Sequence, residues 1–255
     1  MPILRFPTDI SKLQIIKVSI PIFFSNLAIP LVGIVDTGLM GNLDNEKYLI
    51  AVSISTAFLT MVLWSFGFLR MGTVGIVSQA LGKGDYRELV NTILRNLFVA
   101  LLIAFIIILL KPFIINLIYN LFVTSEQTKV LIERYISIRI FSAPAELIIY
   151  ILVGFYLGIQ KTFISSSLII ILSVLNIVLS IYFVHYLQLD VAGVALGTLA
   201  ASYLTVISYS IFTYYYIIKK FKVIPRIYKK ILNGKKMIRL LNINFDIFLR
   251  TVLLT

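Results

Sequence analysis

The sequence predicts an all-α polytopic membrane protein, a bundle of six transmembrane helices followed by the start of a seventh. Of its 255 residues, 60% are hydrophobic and 13% are charged, and the mean hydropathy is +1.00. Apolar runs of about 20 residues recur along the chain, and each can cross a hydrocarbon core of about 30 Å as a helix. The runs lack the in-and-out alternation of barrel strands, so helices remain as the way to satisfy the backbone in lipid.

The apolar runs divide the first part of the chain into six helices that are joined by short turns. None of these turns is long enough for a soluble domain, so residues 1–218 are predicted to form one membrane-embedded domain in contact with lipid. The helices are predicted at about 14–39, 48–78, 89–117, 128–158, 163–186 and 191–218.

The distribution of charge predicts the topology. Nine Lys and Arg residues lie between Lys219 and Arg239 with no acidic residue among them, and residues 219–242 are therefore predicted to be a cytoplasmic loop. With a cytoplasmic N-terminus, the inner segments hold 15 basic residues and the outer segments hold 3. We therefore expect a multi-pass protein of the bacterial inner membrane, and the net charge of +12 does not indicate a nucleic-acid partner.

The last segment, 243–255, has the pattern of a helix entering the membrane, but it holds only one or two apolar turns. A spanning helix needs about 20 residues, so this one cannot cross. Either a truncated reading frame or a fragment of a longer protein is expected.

Residue types for catalysis and metal binding are scarce. The chain has no cysteine and one histidine, His185, which excludes thiolate sites and histidine clusters. The turn Gly82–Asp85 lacks the spacing of a phosphate-binding loop and follows a membrane helix instead of a strand. No nucleophile–base pair is apparent, so neither an enzyme, a catalytic residue, a metal site nor a cofactor is expected.

Asp36 is the acidic residue of the first helix. A carboxylate inside a membrane helix costs about 2.5–3.5 kcal/mol, so it is expected to have a partner or a function. Two interpretations remain open, an interfacial aspartate that reaches water and a titrating group that faces a cavity. Pro21 removes a backbone hydrogen bond from the same helix and predicts a kink.

Polar residues recur on the fifth and sixth helices. Asn176 and Ser180 are four residues apart and share one helix face, while Thr198 follows Gly193 and Gly197 on the next helix. The glycines predict a close approach of two helices. Asn176 fits a structural hydrogen bond between helices and a functional site equally well.

Two charged residues lie deep in the fourth helix. Arg139 and Glu146 are seven apart and therefore lie on roughly the same face. Mutual pairing is the first expectation for them, and a part in a substrate cavity is the alternative. Arg139 is interpreted as the only clear deep cation.

Several short stretches follow one another along the chain: Pro21, Val35-Asp36-Thr37, Met40-Gly41, Ser78–Asp85, Arg139–Ala145, Gly158–Gln160, Asn176–Leu179, Ala192–Thr198 and Asp246–Arg250. In this order they resemble the N-terminal half of the multidrug and toxic compound extrusion (MATE) transporters, specifically their DinF-like branch.

The resemblance implies a twelve-helix antiporter of two six-helix lobes that exports cationic or amphipathic compounds in exchange for protons or sodium. This chain would be the first lobe, without the C-terminal lobe. Asp36 would be the coupling acid and Pro21 the kink, with Asn176 and Thr198 grouped around the acid. Ser180 departs from the pattern, because DinF-like members usually have Asp there. This departure puts a two-carboxylate relay or sodium site in doubt.

Two alternatives stay open beside the exporter. One is a lipid-linked saccharide flippase of the same superfamily, which is expected to have a more cationic central cavity. The other is an inactive remnant, suggested by the short seventh helix. A single deep cation, Arg139, favours drug export over the flippase.

Overall fold

The computed structural model describes residues 12–43, 45–122 and 125–225, together with residue 238. Between residues 12 and 225 the described chain forms nine α-helices and no strand. These are α1 (Lys12–Gly41), α2 (Glu46–Trp64), α3 (Phe68–Gly82), α4 (Tyr86–Leu109), α5 (Lys111–Leu121), α6 (Glu126–Arg139), α7 (Ala143–Gly158), α8 (Thr162–Ile181) and α9 (Asp190–Phe221). Most of the predicted basic loop and the predicted start of a seventh helix lie outside the described residues.

Six helical segments of the described chain are long and apolar enough to cross a membrane. This confirms the predicted six-helix membrane bundle. The segments are Ser19–Gly41, Glu46–Gly82, Tyr86–Leu109, Glu126–Gly158, Thr162–Tyr186 and Asp190–Phe221.

Several spans are interrupted where the sequence predicted one continuous helix. The second span turns at residues 65–67 between α2 and α3, and a 3₁₀ turn, Ile140–Ser142, separates α6 from α7. Proline explains two of the breaks, because it lacks the N–H that an interior helix position donates. Pro144 lies in the first turn of α7 and Pro112 in the first turn of α5.

The first helix is not interrupted in this way. It runs as one α-helix from Lys12 to Gly41 and contains both Pro21 and Pro30. The predicted effect of Pro21 is therefore at most a bend within a continuous helix, and α1 does not break there.

Successive spans alternate in direction, which gives the bundle two ends. The ring of Tyr86 lies 5.1 Å from that of Phe221, joining the start of the third span to the end of the sixth. An ion pair of 3.7 Å between Arg134 and Asp190 joins the starts of the fourth and sixth spans. We refer to the end of the bundle that holds Gly41 and Asp190 as the Gly41 end, and to the opposite one as the Gly82 end.

Glycines set the close contacts between helices at both ends. A Cβ atom on Gly197 would lie 2.5 Å from Ser180 Oγ and 2.8 Å from the Ser180 backbone of α8. A Cβ atom on Gly154 would lie 2.6 Å from the carbonyl oxygen of Arg70 on α3. The close helix approach predicted from Gly193 and Gly197 is therefore present, and α9 packs directly on α8.

Candidate functional site

Asp36 lies in the Gly41 half of α1, where this helix packs against α8. Its side chain is buried, with 8% of the residue exposed. The carboxyl group lies beside the Ser180 hydroxyl of α8. Its Oδ1 atom is buried and forms no hydrogen bond with any described residue. Asp36 is therefore an interior group of the bundle, in contrast to the interfacial aspartate that the sequence left open.

A chain of hydrogen bonds extends from Ser180 to α9. The Ser180 hydroxyl donates to Asn176 Oδ1 over 3.2 Å, and Asn176 Nδ2 donates to Thr198 Oγ1 over 3.1 Å. The Thr198 hydroxyl in turn donates to the carbonyl oxygen of Val194 over 3.2 Å. All three side chains are buried. The structure thus brings together the four sequence-predicted residues, with Ser180 between Asp36 and the other two.

The chain of donors gives Ser180 a distinct role beside the acid. Its proton is directed to Asn176, so toward Asp36 it offers only lone pairs. A carboxyl group can donate a hydrogen bond only when it carries a proton. Protonation of Asp36 therefore changes which hydrogen bonds are possible between α1 and α8.

Gly197 makes this arrangement possible. Ser180 lies against the backbone of α9 at Gly197, and any larger residue would collide with its hydroxyl and its main chain. The polar chain between the two helices therefore depends on the missing side chain at this position.

A second polar group lies on the fourth span nearby. Arg139 forms an ion pair with Glu146, and both contact Ser142, whose hydroxyl lies 2.8 Å from Glu146 Oε1. The pair is largely buried, with side-chain exposures of 10% and 19%. Tyr135, also buried, shares a 2.9 Å hydrogen bond with Thr56 of α2. Arg139 is close enough to Asp36 to interact with its charge.

A row of buried hydroxyls that was not predicted from the sequence continues from Thr198 along α9. Ser202 follows Thr198 by four residues and Thr205 follows Ser202 by three, while Ser55 lies on α2. Their hydroxyl oxygens are buried without a partner among the described residues. The spacing of four and three is the signal that could have identified this face, because such residues share one side of a helix.

The interpretation of Arg139 as the only deep cation is wrong. Arg95 of α4 is buried and pairs with Glu88 over 2.7 Å, and Arg70 of α3 lies inside the second span. The number of deep cations therefore does not separate drug export from saccharide flipping.

The described residues bring no three His, Cys, Asp or Glu side chains together. Asp36 is the only acidic residue on α1, and the neighbouring polar groups of α8 and α9 are neutral. The site is thus a single buried carboxyl group next to a neutral hydrogen-bonded chain.

The family model MatE matches residues 21–182, which is more than half of the chain. The chain belongs to the MatE family. This confirms the resemblance that the sequence motifs indicated, and it identifies a multi-pass membrane protein.

Curated relatives of this MatE protein include the DNA damage-inducible protein F of Escherichia coli strain K12. It is 36% identical over 239 residues, which cover 92% of this chain and 51% of the relative. The multidrug export protein MepA of Staphylococcus saprophyticus is 23% identical over 237 residues, covering 92% of this chain and 52% of MepA. The MatE chain therefore spans about half the length of these relatives.

Solved structures share the fold. A transporter of the MOP superfamily from Pyrococcus furiosus superposes with a TM-score of 0.79 at 19% identity, over 92% of this chain and 51% of that one. The bent form of the Vibrio cholerae MATE transporter VcmN superposes with a TM-score of 0.75 at 21% identity, over 93% and 53%. The described part of the MatE chain thus has the helix arrangement of these structures.

Proposed function

We propose that this lobe couples proton movement to the export of cationic or amphipathic small molecules, and that Asp36 is the coupling group. The observation that carries the proposal is the burial of the Asp36 carboxyl group beside Ser180. Ser180 is the first residue of the neutral hydrogen-bonded chain that continues through Asn176 to Thr198. The relatives that are called multidrug export proteins support the cargo class. Because the chain spans about half their length, the activity is proposed for a protein in which this lobe works with a second one.

Two arrangements of hydrogen bonds follow from the donor inventory of the site. When Asp36 carries a proton, it can donate to Ser180, and Ser180 continues to donate to Asn176. When Asp36 is ionised, Ser180 can turn its proton toward the carboxylate, which removes the donor from Asn176 Oδ1. Proton binding thus alters the contact of α1 with α8, and through Asn176 and Thr198 it reaches α9.

A proton is the coupling ion that fits these residues best. Sodium is bound in proteins by several oxygen ligands, and the oxygen atoms of Asn176 and Thr198 are already engaged within the chain. Ser180 adds no negative charge where the family pattern has Asp. One carboxyl group with a hydroxyl neighbour is sufficient to take up and release a proton.

The free energy released when one proton crosses the membrane is sufficient to concentrate an exported compound outside the cell. A charge that moves through about 100 mV supplies about 2.3 kcal/mol. This free energy sustains a concentration ratio of about fifty for an uncharged compound, since about 1.4 kcal/mol corresponds to a factor of ten.

The test is efflux of a fluorescent cationic dye from an export-deficient bacterial host that expresses the protein from its natural gene. We expect the wild type to lower dye accumulation and Asp36→Asn to abolish the effect at equal membrane expression. Asp85→Asn is the matched control, because Asp85 is an exposed cap of α4 and Asn fills that position equally well. Full efflux by Asp36→Asn would rule out this assignment, and no dye efflux by the wild type would rule out the cargo class.

The coupling ion is tested in proteoliposomes with either a pH gradient or a sodium gradient imposed. We expect dye transport to follow the pH gradient and to be indifferent to sodium. Transport driven by sodium alone would show that the site holds that ion despite its single carboxyl group.

A further inference from the structure

A cavity with several polar residues in its lining is found in the Gly82 half of the bundle, away from the Asp36 site. It has a volume of about 400 Å³ and lies among α1, α3, α7 and α8. Its polar lining consists of Asn26 of α1, Arg70 of α3, and Ser165 and Ser166 of α8, with Ser25 beside them. No acidic residue is among the described residues that line it. Among the described residues that line the cavity, Arg70 is therefore the one that carries a charge.

Arg70 is an unusual residue for its position in the helix. It precedes Gly82 by twelve residues, or about 18 Å along an ideal helix, and so lies within the second span. A cation at such a depth is costly and is expected to have a partner or a function. Among the described ion pairs, none involves Arg70, in contrast to Arg95 and Arg139. Arg70 is exposed and lines the cavity, so a group that enters the cavity can reach its charge.

Neutral donors accompany the arginine. The Asn26 amide and the Ser166 hydroxyl form no hydrogen bond with another described residue. Together with the guanidinium group they provide donors from three different helices around one cavity. Guanidinium groups bind phosphate and carboxylate with paired, charge-assisted hydrogen bonds, and amide or hydroxyl donors complete such sites.

The backbone at Arg70 is held in place by packing. Gly154 allows α7 to approach α3 so closely that its Cα faces the carbonyl oxygen of Arg70. Gly158 allows the same approach one turn later, against Val77. The guanidinium group therefore extends from a well-packed segment into the cavity.

The remainder of the lining is apolar. Ile22, Met71, Val74, Leu157 and Ile169 surround the polar groups. A ligand that fits this surface has an anionic head and a hydrocarbon portion. We propose that the cavity is a binding site for the phosphate or carboxylate head of an amphipathic molecule, with Arg70 as its charged ligand. The molecule is either a membrane lipid or an anionic cargo, because both present the same chemistry.

The proposal does not depend on the coupling role of Asp36. It concerns binding at the opposite end of the bundle, so a failure of the efflux experiment would leave it standing. Conversely, a loss of binding would leave proton coupling untouched.

The experiment measures binding to the protein from its natural gene, purified in neutral detergent and stripped of lipid, by native mass spectrometry. The probes are dodecyl phosphate, phosphatidylglycerol and the cation dodecyltrimethylammonium. We expect one dodecyl phosphate to bind the wild type, and Arg70→Gln to weaken binding at least about tenfold, as for a lost charge-assisted contact. Arg87→Gln, which removes an exposed arginine from the turn before α4, serves as the matched control and should bind as the wild type does.

Two further variants keep the result interpretable. Arg70→Lys retains the charge but cannot form the paired hydrogen bonds of a guanidinium group. Its affinity for dodecyl phosphate should lie between those of the wild type and Arg70→Gln. Asn26→Asp places a carboxylate in the cavity and should weaken binding even if Arg70→Gln is unstable. Equal binding of dodecyl phosphate by the wild type, Arg70→Gln and Asn26→Asp would overturn the proposal. Equal displacement by dodecyltrimethylammonium would overturn it as well.

The source of the anionic head is distinguished by competition and transport. If phosphatidylglycerol copurifies with the wild type and displaces dodecyl phosphate, the site holds a lipid head group. If phosphatidylglycerol does not compete and Arg70-dependent export of dodecyl phosphate is measured from proteoliposomes, the site holds cargo. Either result supports an anion site at Arg70.

Discussion

The two halves of the bundle hold charged residues of the spans in opposite ways. Toward the Gly41 end, Asp36 lies beside Ser180, and near the middle of the fourth span Arg139 is neutralised by Glu146. Toward the Gly82 end, Arg70 lines a cavity with neutral donors and without an ion-pair partner among the described residues. The first half is therefore suited to the uptake of a proton, and the second to the binding of an anion. One lobe can thus hold two sites of opposite charge preference because they lie at opposite ends of the same helices.

The largest difference in stability is expected between variants in which Arg139 or Arg70 loses its charge. Arg139→Met leaves Glu146 as an unpaired, largely buried carboxylate, which should destabilise the protein by about 3–5 kcal/mol. Arg70→Met leaves no ion-pair partner behind among the described residues and should not lower the free energy of unfolding. Denaturant unfolding in detergent micelles measures the free energy of unfolding of both variants.

A double variant tests the physical reason for that difference. Arg139→Met with Glu146→Gln should recover part of the loss, because the orphaned charge is removed as well. Equal stability of Arg139→Met and the wild type would show that the buried pair does not matter to the fold. A large loss in Arg70→Met would show that Arg70 has a structural partner after all.

The close helix contacts at Gly197 and Gly154 should contribute similarly to the stability of the protein. Gly197→Ala forces a methyl group into Ser180, and Gly154→Ala forces one into the carbonyl oxygen of Arg70. Each change should cost about 1–3 kcal/mol, which is the usual effect of overpacking a tight contact. Gly38→Ala is the control, since a Cβ atom there has no neighbour within 4 Å among the described residues. Melting temperatures in detergent that are the same for Gly197→Ala, Gly154→Ala and Gly38→Ala would contradict the close packing described at these two contacts.

Ser180→Ala is expected to lower the stability less than the buried Arg139→Met change does. It removes one hydrogen bond to Asn176 and should cost about 1 kcal/mol. Coupled dye efflux should nevertheless fall about tenfold, because Asp36 loses its connection to α9. Ser208→Ala is the control, since that exposed hydroxyl bonds only to Leu204 of its own helix. If both variants transported dye equally well, the chain from Asp36 to Thr198 would have no part in coupling.

The sequence was sufficient for the architecture because hydrophobic length and basic turns are local properties. It also placed Asn176, Ser180 and Thr198 near one another, since spacing of four and small residues on facing helices determine those contacts. The helix breaks after Trp64 and Arg139 were not foreseen. A break in the middle of an apolar run depends on tertiary packing as well as on proline, as the uninterrupted α1 with two prolines shows.

The cavity at Arg70 could not be predicted from the sequence. Its lining comes from residues 22 to 169 of the chain, and only the packing of four helices brings them together. In the sequence, Arg70 is a single charge near the end of an apolar run and is easily attributed to the nearby turn. The direct neighbour of Asp36 was likewise undetermined, because helix contacts do not specify which of three polar residues faces the acid.

The most direct measurement of the central claim is the pH change that accompanies dye transport in proteoliposomes. With a pH-sensitive dye inside, we expect the wild type and Arg70→Gln to move protons whenever the cationic dye is transported. Asp36→Asn should move none, because it removes the titrating group of the site. Proton movement by Asp36→Asn in step with dye transport would contradict the assignment of coupling to Asp36.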